Sequence, residues 1–469
     1  MMQDRRSFLA LGAASVAAAS VGLPALTAGP AAAAGPAATH EAFVMGYFTE
    51  SPTMLGARYA LHLAVSPDGL NWTPLNDNNP VATPTAGTGG LRDPFILRRQ
   101  DGTFVVLATD LTGTDFGQRN QYIHAWDSAD LRSFTGYRRL RLHDRPTHTW
   151  APEAFWDPER GQYGIFYSAN FDGVDSFFVN YTPDFVTVSG PQPFFAPGYP
   201  VLDGTLHHTA TAHYLYYKHM GNGRLYGARS STLRPRSFDA GTYTGGVIQG
   251  GIEAPIVQRA NDRDQWYLWG DSYAPVNGRL HLWTSGDITG DHWTEVDRFA
   301  YTQPLNAKHA TTCPLTAAEH AALLDHWGTP TWHRVRSYNH PDRFLRHAGF
   351  AARLDAYPFD PYPDAQWRLV AGLADPAGVS FESVNYPGHF LRHQNLDVVL
   401  AERDGSATFA ADATFHRQPG LADAGWASFR SVNYPDHYLR HAEYLLRIDP
   451  LGAASPATDR RDATFQLTY

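Results

Sequence analysis

The 469-residue chain has a single cysteine, Cys313, so no intrachain disulfide can staple it and each domain must rest on its own core. Lysine is almost absent: of 37 basic residues only Lys218 and Lys308 are lysines. Past the first forty residues no apolar run approaches the ~18 residues of a membrane-spanning helix. A formal charge of −9 gives no basic surface for nucleic acid or for an anionic membrane. No Gly-x-Ser-x-Gly occurs, and Cys313 sits on an apolar strand as a small buried hydrophobe, so serine or cysteine nucleophiles have no support. Helical periodicity is also scarce.

What remains is strand-like and aromatic, with 13% Phe, Trp and Tyr. The first residues are a separate case: Arg5-Arg6-Ser7-Phe8-Leu9 precedes an Ala-rich apolar segment and Ala32-Ala33-Ala34. A twin arginine, an apolar run and a small-residue cleavage site predict a Tat export signal over residues 1–34, hence a secreted, extracellular protein.

After it, polar residues stand at the lips of apolar strands: Asp93 in Arg-Asp-Pro-Phe-Ile-Leu, Glu153 in Trp-Ala-Pro-Glu, Asp203 in Leu-Asp-Gly-Thr, Glu253 in Ile-Glu-Ala-Pro, and His309 in Lys-His-Ala-Thr-Thr. They are spaced 60, 50, 50 and 56 residues apart. Alternating strands and turns, such as Ser66-Pro-Asp-Gly and Asp101-Gly102, fill each interval. Five recurrences of this kind predict an all-β, five-bladed β-propeller over residues 41–328, with the five residues converging on one central mouth. The strands before Asp93 are expected to complete a blade. A jelly roll or sandwich is the alternative, but neither predicts a fivefold repeat.

Thr316-Ala-Ala-Glu319 opens a capping box and Gly328 supplies a stop, so a short helix closes this domain. A threefold repeat follows. Ser337-Tyr-Asn-His-Pro-Asp-Arg-Phe-Leu-Arg-His347, Ser383-Val-Asn-Tyr-Pro-Gly-His-Phe-Leu-Arg-His393 and Ser431-Val-Asn-Tyr-Pro-Asp-His-Tyr-Leu-Arg-His441 align without gaps. Each leads to a second mark, Asp364-Ala-Gln-Trp367, Asp412-Ala-Thr-Phe415 or Asp462-Ala-Thr-Phe465. Three β units of this size fit a β-trefoil over residues 332–469.

Two carboxylates across a pocket are the minimal equipment for glycoside hydrolysis, one protonating the leaving oxygen and the other activating water or attacking. The acid needs a raised pKa, for which the apolar sequence neighbours of Glu253 (Ile252, Ala254-Pro255) are suited. An isolated Asp or Glu at a strand end is ordinarily a cap or a solvated residue, and aromatics such as Trp150 ordinarily pack between blades.

On Arg-Asp93-Pro, Trp150-Ala-Pro-Glu153, Leu-Asp203-Gly-Thr, Ile-Glu253-Ala-Pro and Lys-His309-Ala-Thr-Thr, the first domain resembles glycoside hydrolase family 43, five-bladed propellers that hydrolyse arabinofuranosides and xylosides with inversion. The resemblance implies that Asp93 is the general base, Asp203 the carboxylate that tunes the acid, and Glu253 the general acid. It makes Trp150, Glu153 and His309 substrate-binding, with His309 lining the channel beside an ion or water; no cofactor is required.

The second domain resembles the arabinofuranose-binding trefoil of carbohydrate-binding module family 42. By that resemblance His347 with Asp364, His393 with Asp412, and His441 with Asp462 contact sugar, although these residues also suit a purely structural brace. The departure at Asp364-Ala-Gln-Trp367 predicts a weakened first pocket. Together the two resemblances imply a monomeric inverting exo-α-L-arabinofuranosidase acting on arabinose-containing polysaccharide. A β-xylosidase, a galactofuranosidase and a non-catalytic carbohydrate-binding protein are the alternatives.

Overall fold

A computed structural model describes residues 39–51, 57–244, 250–273, 279–289 and 292–469. The proposed export signal lies outside them, and none of their helices is long and apolar enough to cross a membrane.

Five four-stranded antiparallel sheets form the first part. Their innermost strands are Leu91–Arg98, Trp150–Asp157, Val201–His208, Ile252–Arg259 and Ala307–Leu315. The fifth sheet joins the two ends of this part: Ala307–Leu315 pairs with Ala42–Thr49, which pairs with Arg58–Ser66. The residues before Asp93 thus complete a blade begun by a strand more than 200 residues later. Between blades lie apolar layers rich in aromatics, such as Phe155, Phe166, Phe177, Phe194 and Tyr217. Burial of these large side chains is the main favourable term for a chain that has no disulfide.

The helix Ala317–Trp327 follows with the expected capping box: Thr316 accepts from the Glu319 amide, and the Glu319 side chain accepts from the Thr316 amide. Glu319 also pairs with Arg98 at 2.7 Å. Leu323 is buried in the core between the first and closing blades, tying the helix to both.

Residues from Arg334 onward form one 12-stranded sheet that closes on itself, its first strand Arg334–Ser337 pairing with its last, Phe465–Thr468. Three hairpins recur, and their second strands, Ala351–Ala356, Asp397–Glu402 and Leu445–Pro450, pair with one another around an axis. Period-2 alternation explains the repeat: in each Leu-Arg-His the leucine (Leu345, Leu391, Leu439) is fully buried in the shared core with Trp367, Phe415 and Phe465. This sheet is docked on the propeller, with the Thr331 amide donating to Asp77 at 2.9 Å and Tyr357 hydrogen-bonded to Asn306.

Candidate active site

Each inner strand carries one extra residue relative to its partner, a bulge that falls at the mouth. In four blades the register slips between Arg92 and Phe95, Trp150 and Glu153, Leu202 and Thr205, and Glu253 and Ile256. The closing blade slips opposite Lys308–Thr311. A non-glycine residue with positive φ marks every bulge: Asp93 (50°), Ala151 (48°), Asp203 (51°), Ala254 (51°) and His309 (35°). Proline follows in three of them, because a bulged residue gives up its ladder bond and proline has no N–H to lose. Left-handed backbone of this kind costs about 1–3 kcal/mol per residue and concentrates at functional sites.

The bulge sorts the channel into levels. One step before it stand Arg92, Trp150, Leu202, Glu253 and Lys308; at it stand Asp93, Asp203 and His309. These eight, with Leu111 and Phe116, line a pocket of about 210 Å³. Two steps after the bulge stand Phe95, Glu153, Thr205, Ile256 and Thr311. The expectation of five mouth residues in register is therefore corrected: Asp93, Asp203 and His309 share a level, Glu253 lies one residue above, and Glu153 lies below and does not line the pocket. Trp150 takes the place at the rim that the 50-residue spacing assigned to Glu153.

The pocket carboxylates differ in their surroundings. Burial opposes ionisation of Asp93, but His309 Nδ1 at 2.9 Å, Arg92 and the Thr109 hydroxyl at 2.7 Å overcome it and hold the carboxyl down at about 2. His309 gains in return: burial disfavours its charge, yet Asp93, Asp203 and Glu253 raise it to about 9. Asp203 is buried, accepts from the Ala254 amide at 3.2 Å, and is pushed up to about 6 by burial and by the charges of Glu253 and Asp93.

Glu253 contradicts its sequence context. Ile252 is buried between blades and Ala254 is turned away by the bulge, so the carboxyl instead meets Lys218 Nζ at 2.8 Å and Lys308 Nζ at 3.5 Å. Burial would raise it, but the two ammonium groups hold it below the usual carboxylate range. Both lysines of the chain therefore serve one carboxylate. Lys308 is anchored by Asp271 at 3.0 Å, which also accepts from the His309 amide at 3.0 Å, and Lys218 lies over the Tyr273 ring at 4.0 Å. Arg92 at the rim is fixed by Glu50 at 2.7 Å. Sequence reading noted the rarity of lysine but had no means to place Asp271 or Glu50, whose strands carry no motif.

Glu153 accepts from the Leu206 amide at 3.2 Å, and burial in the channel raises its pKa to about 8. The His309 imidazole has one nitrogen committed to Asp93. Among the described residues no group of three or more His, Cys, Asp or Glu side chains has metal-binding spacing.

In the C-terminal sheet each predicted His–Asp pair is completed by the next repeat. His347 Nε2 lies 3.3 Å from Asp364 and 3.1 Å from Asn385; His393 lies 3.3 Å from Asp412 and 3.0 Å from Asn433; His441 lies 3.3 Å from Asp462 and 3.0 Å from Asn339. Arg346, Arg392 and Arg440 each pair with the aspartate. Asp364 thus makes the same contacts as its counterparts, and the expected weakness of the first pocket is absent from its geometry. The third differs instead: Tyr386 and Tyr434 pack edge-on to the first two histidines, whereas His340 meets His441.

Comparison with known proteins bears on both parts. Residues 38–321 match a glycosyl hydrolase 43-related family model described as "Probable glycosyl hydrolase domain". Residues 329–467 match the alpha-L-arabinofuranosidase B (ABFB) domain. An α-L-arabinofuranosidase of Bifidobacterium longum is 30% identical over 178 residues, 32% of this chain and 17% of that protein. An extracellular exo-α-(1→5)-L-arabinofuranosidase of Streptomyces avermitilis is 51% identical over 133 residues, 28% of this chain and 27% of that protein. The matched segments span under a third of the length of either relative. Among solved structures, an α-L-arabinofuranosidase of Podospora anserina in complex with cellotriose aligns at 19% identity and TM-score 0.37, over 46% of this chain and 71% of that one.

Proposed function

The chain belongs to the glycosyl hydrolase 43-related family, and from that premise we propose that it is an α-L-arabinofuranosidase that releases terminal arabinofuranose with inversion. The observation that carries the reading is the convergence of Asp93, Asp203 and Glu253 on one small pocket at the mouth of the channel.

In this reading Asp93 is the base. Its charge is secured by His309 and Thr109, so it is ionised at any working pH, as activation of water requires. Asp203 and Glu253 act as a coupled pair holding one proton. Burial favours the protonated form of Asp203 up to about pH 6, while the lysines keep Glu253 charged. Protonation of Glu253 accompanies arrival of the glycosidic oxygen, and Asp203, one residue deeper in the preceding blade, is the reserve that supplies it. Trp150 and Phe116, edge to face at 6.0 Å on the rim, are the apolar wall for the sugar. His309 lines the pocket and holds Asp93, and Glu153 takes no part in sugar contact.

The closed C-terminal sheet is read as a β-trefoil whose three His–Asp–Asn pockets hold arabinofuranosyl side chains of a polysaccharide. The two parts would act as one extracellular monomer, exported through the twin-arginine leader. The ABFB match and the extracellular Streptomyces relative support this, and the pocket's three carboxylates weigh against a purely binding role.

The test is release from 4-nitrophenyl glycosides, with proton NMR of the first-formed sugar. α-L-Arabinofuranoside cleavage with inverted anomeric configuration is expected if Asp93 activates water, which requires a gap of ~6.5–9.5 Å between the two carboxyl groups. Preference for β-xyloside or galactofuranoside would move the assignment to those activities, and retention would remove the base role of Asp93.

A further inference from the structure

Away from the active site, a second cavity of about 160 Å³ lies where the propeller loop containing Arg298 to Asn306 meets the C-terminal sheet. Four arginines line it, Arg279 and Arg298 from the propeller and Arg334 and Arg336 from the sheet, against one lining carboxylate, Asp342. Arg334 and Arg336 are 93% and 96% buried. Arg334 meets the α-carboxylate oxygen of the last residue, Tyr469, and Arg336 meets only uncharged groups, Gln466 and the Phe299 carbonyl at 3.3 Å. The Nε of each is buried without a hydrogen-bond partner among the described residues. Aromatic rings cover guanidinium faces, Phe344 at 4.6 Å on Arg334 and Trp426 at 5.6 Å on Arg336. The in-plane N–H groups are what is left to bind.

A folded chain rarely gathers four arginines, two of them deeply buried, against fewer counter-charges, because desolvation and mutual repulsion add. Here they do add: burial, then the neighbouring guanidiniums, pull Arg334 and Arg336 down to about 10. Elsewhere in the molecule buried arginines are matched, as Arg92 is by Glu50 and Arg346 by Asp364.

We propose that Arg279, Arg298, Arg334 and Arg336 form a binding site for a small oxyanion of the phosphate or sulfate class, seated between the propeller and the C-terminal sheet. The planar forks suit such oxygens, and the Asn306 and Tyr357 side chains lining the same cavity offer further polar contacts. The volume, about 160 Å³, admits a tetrahedral oxyanion. An anion held there would brace the two parts against each other.

Isothermal titration of phosphate, and separately sulfate, into the full-length protein at fixed ionic strength in chloride is the test. Saturable one-to-one binding is expected, with a rise in Tm that chloride does not give. In Arg298→Met and Arg279→Met, which alter the less buried members, affinity should fall by about tenfold or more while 4-nitrophenyl arabinofuranoside turnover is unchanged. Arg336→Met should abolish binding; if it does not fold, the other two variants decide. Absence of saturable binding by the unaltered protein, or equal affinity in both Arg298→Met and Arg279→Met, would overturn the site.

Discussion

Lys218 donates to Glu253 across 2.8 Å although the two lie on different blades, Lys218 on the second strand of one and Glu253 on the innermost strand of the next. The contact exists because Lys218 pairs in register with Leu202, immediately before the bulge at Asp203, which brings its side chain to the mouth level. The carboxylate proposed as the proton donor is thus held charged by its neighbours.

Replacing Lys218 by Met removes one of the two cations that depress Glu253, so the glutamate's pKa rises. If Glu253 protonates the leaving group, the alkaline limb of kcat/KM moves to higher pH in Lys218→Met. A pH–rate profile on an arabinofuranoside checks this. A limb that stays in place or moves down argues that Glu253 is not the proton donor.

Glu253→Gln keeps an acceptor for both lysines and should fold normally. It removes the proton, so turnover of arabinan should fall by roughly 10²–10⁴-fold while activated aryl arabinofuranosides lose much less. Steady-state comparison of the two substrate kinds is the measurement. Equal loss on both would assign Glu253 a binding role.

Glu153 titrates at about 8 in the folded chain, well above its ordinary value of 4.5, so the folded state binds this proton more tightly than the unfolded one. Its contribution is fully present below about pH 4.5 and is lost as pH rises through 8. Glu153→Gln removes this slope. Urea titrations from pH 5 to 9 should show the variant gaining on the parent protein with rising pH, and parallel curves would contradict the buried setting.

Tyr386 and Tyr434 are 40% and 42% exposed beside His347 and His393, so truncating them leaves the core of the sheet intact. The double variant Tyr386→Ala/Tyr434→Ala should bind insoluble arabinan several-fold more weakly and keep its kinetics on small aryl substrates, since tethering changes local concentration and not chemistry. Pull-down on the polymer beside a nitrophenol assay separates the two effects.

The blade period was legible because each inner strand repeats a polar residue, a bulge and an apolar run, and the capping box at Thr316 was legible because it is wholly local. The levels within the channel were not. Trp-Ala-Pro-Glu and Ile-Glu-Ala-Pro look alike as strings, yet their glutamates lie on opposite sides of the bulge, two residues past Ala151 and one before Ala254. The charge state of Glu253 was hidden for a different reason. Its sequence neighbours are apolar, but Lys218 and Lys308 approach from 35 and 55 residues away. In the C-terminal sheet the repeat showed which histidines and aspartates correspond, while the partner asparagine of each set, supplied by the following repeat, required the closed ring.

The strand Ala307–Leu315 closes the ring and also carries Lys308 and His309 into the pocket. During synthesis the other carboxylate-bearing strands are complete long before it, but Asp93 has no imidazole and Glu253 lacks its second ammonium group until this strand docks on Ala42–Thr49. A fragment ending before Lys308 would hold Asp93, Asp203 and Glu253 without two of the charges that set their protonation, those of Lys308 and His309. The charge environment of the pocket is thereby coupled to completion of the fold.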